Sequence, residues 1–144
     1  MDEPLTHRQL AAQTYNATWD LLEAARTEQQ DLELLGLAFA SRYHWGFAGG
    51  PKEQAIADWM ASRCLAAIGE GALSVRFADS ALALAPKEEE WLTASMHEGR
   101  ARAAAAAGDD TAKAEHVALA QAALDRETDA EDRDAIAAQL ADLL

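Results

Sequence analysis

The sequence of 144 residues holds one cysteine, Cys64, so no disulfide can close within the chain and no paired-cysteine zinc pattern can exist. That usage suits a reducing compartment. Prolines are three (Pro4, Pro51 and Pro86) and glycines eight, too few for a loop-rich or low-complexity chain. β-Branched residues are scarce, and no segment sustains the alternation of a half-buried strand. No apolar run approaches the roughly 18 residues that a membrane-spanning helix needs. The start, MDEPLTHRQL, is polar and lacks the apolar stretch of a secretory signal. Lysine is confined to Lys52, Lys87 and Lys113, and the net charge is −13. No basic stripe is left to neutralise phosphates or anionic lipid. Phosphate-loop and dinucleotide glycine patterns are missing, as is the Gly-x-Ser-x-Gly elbow of hydrolases. Together these absences point to a cytoplasmic protein with no nucleic-acid and no membrane partner. The excess of arginine over lysine, with much alanine, suggests a GC-rich bacterial source.

What remains is a helical composition. Half of the residues are apolar and alanine dominates, the mixture with the best helix propensity. Helix one is expected from about residue 5 to 28, opened by Thr6 and Gln9 at capping-box spacing, with Ala11, Tyr15, Trp19 and Leu22 on one face. TEQQD reads as a connection. A second helix, from about Leu32 to Phe47, ends at Gly49-Gly50, and Pro51 opens a third with a stripe of Ile56, Met60, Cys64 and Ile68. Gly69-Glu70-Gly71 breaks the chain before a fourth helix carrying Leu73, Phe77, Ala81 and Leu84. Pro86 restarts it, with Glu88, Glu89 and Glu90 expected in the first turn of a fifth helix that stops at Gly108. A sixth, capped by Asp110, carries Ala114, Val117, Ala118 and Leu124. Thr128 and Glu131 have capping-box spacing ahead of a seventh with Ile136, Leu140 and Leu143. The expected fold is all-α: a single domain of about seven helices in antiparallel hairpins, closed by a C-terminal capping helix. Its parts would be an N-terminal hairpin over 5–48, repeats over 52–85 and 87–126, and the cap over 128–144.

Two stretches resemble one another, residues 59–86 and 98–125. Each is a helix ending in glycine, a short break and a second helix rich in small residues. Setting Gly69 on Gly108 places Trp59 on Glu98 and Arg63 on Arg102. Leu65, Gly69, Ala81 and Pro86, with Ser62 as the small residue, resemble the tetratricopeptide-repeat family. The second copy departs from that pattern at Ala104, Lys113 and Asp125. A further resemblance lies in ASRYHWG ahead of a Trp-x-x-x-Arg helix, which is similar to a group of bacterial tetratricopeptide-like proteins that carry no assigned activity. The resemblance implies stacked hairpins whose first helices line a concave groove. Carried over position by position, the groove would present Ile56, Trp59, Arg63 and Ala66, then Ser95, Glu98, Arg102 and Ala105.

Trp59 with Arg63 and Glu98 with Arg102 are i, i+4 pairs, so each shares a helix face. Arginine forks match carboxylates and tryptophan supplies apolar area, a combination suited to a protein or peptide partner. His44 and Trp45 end the second helix and would either reach the groove mouth or pack between hairpins, with His44 on the last carbonyls of its helix. The leading expectation is therefore a non-enzymatic binding or scaffold protein whose site is Trp59, Arg63, Glu98, Arg102, His44 and Trp45. A small-molecule pocket or enzyme near His44, Trp59 and Arg63, with His44 as acid–base group, is the second reading, and a homo-oligomer joined through the last helix or an exposed end of the array the third. No metal and no cofactor is expected: none of His7, His44, His97 and His116 stands at a di-iron or zinc spacing. Cys64 reads as a buried apolar residue.

Overall fold

The computed structural model describes residues 3–144 and contains seven helices, with no strand among those residues. They are α1 (His7–Leu22), α2 (Glu28–Ala48), α3 (Pro51–Ala67), α4 (Gly71–Leu84), α5 (Glu90–Ala107), α6 (Asp110–Arg126) and α7 (Ala130–Ala141). Consecutive helices pair as the hairpins α1–α2, α3–α4 and α5–α6, and neighbouring hairpins stack through α2 on α3 and α4 on α5. The first helices of the hairpins also touch, α1 with α3 and α3 with α5, while α7 packs on α5. This is an all-α array of antiparallel helical hairpins. Its core falls into two clusters, one around Leu34, Trp59, Met60, Leu92 and Met96, the other around Leu124, Ile136, Leu140 and Leu143, with Trp91 packed against both.

Several boundaries differ from the expectation for local reasons. TEQQD is not a connection. Thr27 caps α2 through Gln30 in the same reciprocal box that Thr6 and Gln9 form on α1. The turn between them is closed by Arg26, whose Nη1 donates to the carbonyls of Leu21, Leu22 and Ala24 at the end of α1. Of the three glutamates after Pro86 only Glu90 lies in the first turn of α5. Glu89 sits before the helix, where Lys52 Nζ (2.9 Å) and the Trp91 indole (2.6 Å) donate to it and hold its carboxyl below the ordinary range. Asp109, not Asp110, caps α6, and Asp129, not Thr128, caps α7. In each case an aspartate one residue away offers its carboxylate to the N3 amide.

The buried stripes of α4 and α6 are smaller than expected. Gly71, Ser74, Ala78 and Ala81 are the buried residues of α4, while Leu73 is 36% exposed. Small residues win because α3 and α4 approach closely: Ser62 Oγ donates to the Ser74 carbonyl and Ser74 Oγ to the Ser62 carbonyl, both at 2.8 Å. At Gly71 a Cβ would stand 2.6 Å from the Ala106 carbonyl oxygen, so α4 begins against the end of α5 where no side chain fits. In α6 the buried residues are Ala120, Ala123 and Leu124, and Ala114 and Ala118 face outward.

The offset of 39 residues between the two copies survives in three dimensions. Gly69 and Gly108 both adopt positive φ, 86° and 78°. The next amide reaches back five residues in each, Glu70 to Leu65 and Asp109 to Ala104, both at 2.9 Å. Two other glycines have no such task. Gly36 and Gly46 lie inside α2, exposed, and a Cβ at either meets nothing within 4 Å. Each change to alanine is expected to raise stability by about 0.5–1 kcal/mol, read as a higher urea midpoint with an unchanged slope.

Candidate functional site

The wall that carries the expected groove residues is built from α3 and α5, with α1 and α7 beside it. Trp59 and Arg63 project from one face of α3, Glu98 and Arg102 from the matching face of α5. Because the two helices lie side by side in register, equivalent residues of the two copies meet. The Trp59 indole donates to Glu98 Oε2 at 3.2 Å. Arg63 Nη1 reaches Glu98 Oε1 at 3.3 Å and Arg102 Nε reaches the same oxygen at 2.8 Å. Glu98 is fully buried, whereas the Arg63 and Arg102 side chains keep 14% and 20% of their exposure. A second donor from Arg102, Nη2, binds the Gln139 carbonyl on α7 at 3.1 Å. The Arg63 guanidinium also lies over two indoles, 5.3 Å from the Trp19 ring and 5.7 Å from Trp59. Burial first, and then the charge of Arg102, lower the pKa of Arg63, while Glu98 and Asp142 act the other way.

Room for Trp59 comes from Gly99. A Cβ there would stand 2.4 Å from the indole Cδ1 and 2.8 Å from Nε1.

A cavity opens on each side of this row. One of about 330 Å³ is lined by Tyr15 and Trp19 of α1, Ile56 and Trp59 of α3, Trp91 and Met96 of α5, and Ala135 and Gln139 of α7. The other, about 370 Å³, is lined by Leu22, Arg63, Ala66, Arg102, Ala105 and Leu143. The first is aromatic, with Asp132 on its wall; the second is basic. Arg63 stands between them, lining the basic cavity while covering the indoles of the aromatic one.

No protein-family model matches the chain, and neither a curated protein nor a solved structure matches it. The functional reading therefore rests on this geometry.

His44 and Trp45 are not brought to the groove; neither lines either cavity. The segment Ser41–Phe47 instead ties the first hairpin together and joins it to its neighbours. Ser41 Oγ donates to the Ala11 carbonyl at 2.9 Å, and His44 Nδ1 meets His7 Nδ1 at 2.9 Å. His7 stacks on Phe47, and Arg8 lies over Trp45 and donates to the Ala48 carbonyl. The helix-end carbonyl expected for His44 is thus served by Arg8. Arg42 crosses to α3, where it pairs with buried Asp58, which also accepts from Ser80 at 2.5 Å. Tyr43 is 62% exposed, its ring edge-on to His44 and Phe47. Cys64 is fully buried, and burial pushes its thiol up to about 12, so it stays protonated and unreactive at neutral pH.

Sequence reasoning missed the flanks. Tyr15 and Trp19 were legible as an i, i+4 pair on the apolar face of α1, but nothing in their spacing says that they line a cavity with α3, α5 and α7. Gln139 and Asp132 carry no signal in a helix read as a cap.

The other two histidines also pair. His97 on α5 and His116 on α6 bring their Nδ1 atoms to 2.9 Å, which requires one ring to carry its proton there and the other to leave that nitrogen bare. Burial, then the neighbouring His116 and Lys87, lower His97 to about 4; burial and Arg100 lower His116, against Asp79 and Glu115. In the unfolded chain both protonate near their ordinary 6.5. The unfolded state therefore binds more protons in between, so stability is full above about pH 6.5 and falls as pH drops toward 4. Urea unfolding at pH 7.5 and at pH 5 is expected to show this loss, and His97→Gln is expected to flatten it.

Proposed function

We propose that this protein is a non-catalytic binding module of tetratricopeptide-like build that holds a protein or peptide segment in the groove between α1 and α7. The observation that supports this reading is the pair of neighbouring open cavities, about 330 and 370 Å³, on the α3–α5 wall, with Arg63 between them. Such a wall takes one bulky apolar group in the aromatic half and a polar group in the basic half. The residues that hold the segment are Trp59, Arg63 and Arg102, with Trp19, Trp91 and Met96 around the apolar group. Glu98 sets the arginines in place from below. A compact small molecule in the same cavities is the second reading, favoured by their volumes, which fall in the range of ligand pockets; His44 has no part in it.

The test is selection of peptides from a random display library against the purified chain. Ala135→Phe, a change at an exposed residue that lines the aromatic cavity, serves as the blocked form. Enrichment of peptides with a bulky apolar residue on the native chain, lost on the blocked one, is the expected result. Peptides that bind both forms equally, or no enrichment at all, would sink the groove.

A further inference from the structure

One carboxylate serves two guanidinium groups at the centre of the groove. Glu98 accepts from both Arg63 and Arg102. Trp59, the remaining donor to Glu98, is neutral. Taken with its two hydrogen-bonded arginines alone, Glu98 leaves one positive charge in excess, in a place where both arginines are mostly shielded from water. Among the described residues one further carboxylate, Asp142, acts on Arg63 there, and it makes no hydrogen bond to either arginine. Among the described residues Arg63 Nε and Nη2 and Arg102 Nη1 have no protein acceptor. These donors belong to the side chains that line the basic cavity. At the far side of the groove the sign is reversed, with Asp132 on the aromatic cavity. An anionic group is thus repelled at one end and drawn to the other.

Gln139 adds a third feature. It lines the aromatic cavity, and its Oε1 is buried with no hydrogen-bond partner. A buried acceptor without a donor is costly, so an occupant with an N–H group gains by supplying one.

Resting on the groove reading above, we infer that the segment held there carries an acidic side chain onto Arg63 and Arg102, beside a bulky apolar residue that enters the aromatic cavity. The match is threefold: an apolar body for the indoles, an amide N–H for Gln139 and a carboxylate for the arginines. A free organic acid shares the first and third of these but brings no amide, which is why the segment is the favoured source.

The experiment uses the full chain and follows tryptophan emission, since Trp19, Trp59 and Trp91 line the cavity. The probes are two N-acetylated, C-amidated tetrapeptides, Gly-Phe-Glu-Gly and Gly-Glu-Phe-Gly, each against its Gln counterpart, and 3-phenylpropionate against 3-phenylpropionamide. At least one Glu peptide is expected to bind about tenfold or more tighter than its Gln form, as for a hydrogen bond to a charged group. Added salt is expected to shrink that difference in the unaltered protein. Ala105→Glu, a change at an exposed residue lining the basic cavity, is expected to erase it by placing a carboxylate there. Equal binding of Glu and Gln peptides overturns the anion site and leaves peptide binding standing. The acid binding better than its amide, with no peptide bound, supports the anion site and overturns the segment as its source. Binding of none of the probes overturns the inference, and the display selection then judges the groove by itself.

Discussion

Glu98→Ala is expected to remove about 3–5 kcal/mol of folding stability, the usual cost of breaking a buried ion pair from one side. Glu98 is fully buried and is the shared acceptor for Arg63, Arg102 and the Trp59 indole. Its loss leaves two mostly buried guanidinium groups facing each other with no carboxylate hydrogen-bonded to either, and strips the indole N–H of its partner. The methylene volume removed adds a cavity beneath the groove. Glu98→Gln separates the contributions, because the amide still accepts from Trp59 and fills the same space but brings no charge. Its loss is expected to lie between that of alanine and zero. Urea unfolding followed by far-ultraviolet circular dichroism measures both. A loss under about 1 kcal/mol for alanine would mean that water already satisfies the arginines and that the row is not a closed cluster.

Gly99→Ala is expected to lower stability by about 1–3 kcal/mol, although alanine is the better helix former by about 1 kcal/mol. The opposing effect is steric. The new methyl would overlap the indole of Trp59, which is 6% exposed and held by Glu98. The ring can yield only by giving up that hydrogen bond, worth about 1 kcal/mol, and by disturbing the packing against Met60 and Met96. Crowding therefore outweighs propensity here, while at Gly36 and Gly46 nothing opposes it. The same urea experiment separates the cases by sign: α2 alanines raise the midpoint and the α5 alanine lowers it. Tryptophan emission is expected to shift for Gly99→Ala alone. An unchanged midpoint would show that α5 can move away from α3 at little cost.

These two changes bear on the proposed function because they act beneath the proposed groove rather than in it. Gly99 lets α3 and α5 approach closely enough for Trp59 to reach Glu98, and Glu98 turns both arginines toward one cavity. A protein with a displaced Trp59 is expected to lose the boundary between the aromatic and basic halves.

Much of this array was legible along the chain. The periodic apolar residues, the glycine stops at Gly69 and Gly108 and the proline start at Pro51 follow from local geometry, which needs only a few neighbouring residues, whereas α5 begins four residues after Pro86. Cap positions slipped by one residue at Asp109 and Asp129 because several polar residues in a row can each serve, and the choice depends on how the preceding turn runs. The stripes of α4 and α6 were misread for a different cause. Hydrophobicity favours Leu73 and Phe77, but close contact between α3 and α4 admits only Ser74, Ala78 and Ala81. The cluster at Arg42–Phe47 has the composition of a site, yet its groups find their partners on α1, α3 and α4.

By itself the sequence determined the all-helical build, its hairpin order and the 39-residue correspondence that aligns Trp59 with Glu98 and Arg63 with Arg102, because each depends on spacing along one helix or across one turn. Only the tertiary structure decided that these four residues form one hydrogen-bonded cluster, that an aromatic and a basic cavity flank it, and that His44 belongs to His7. Those outcomes turn on how far the stacked hairpins curve and how closely their helices approach. Both are set by the summed packing of many small side chains and by no single motif.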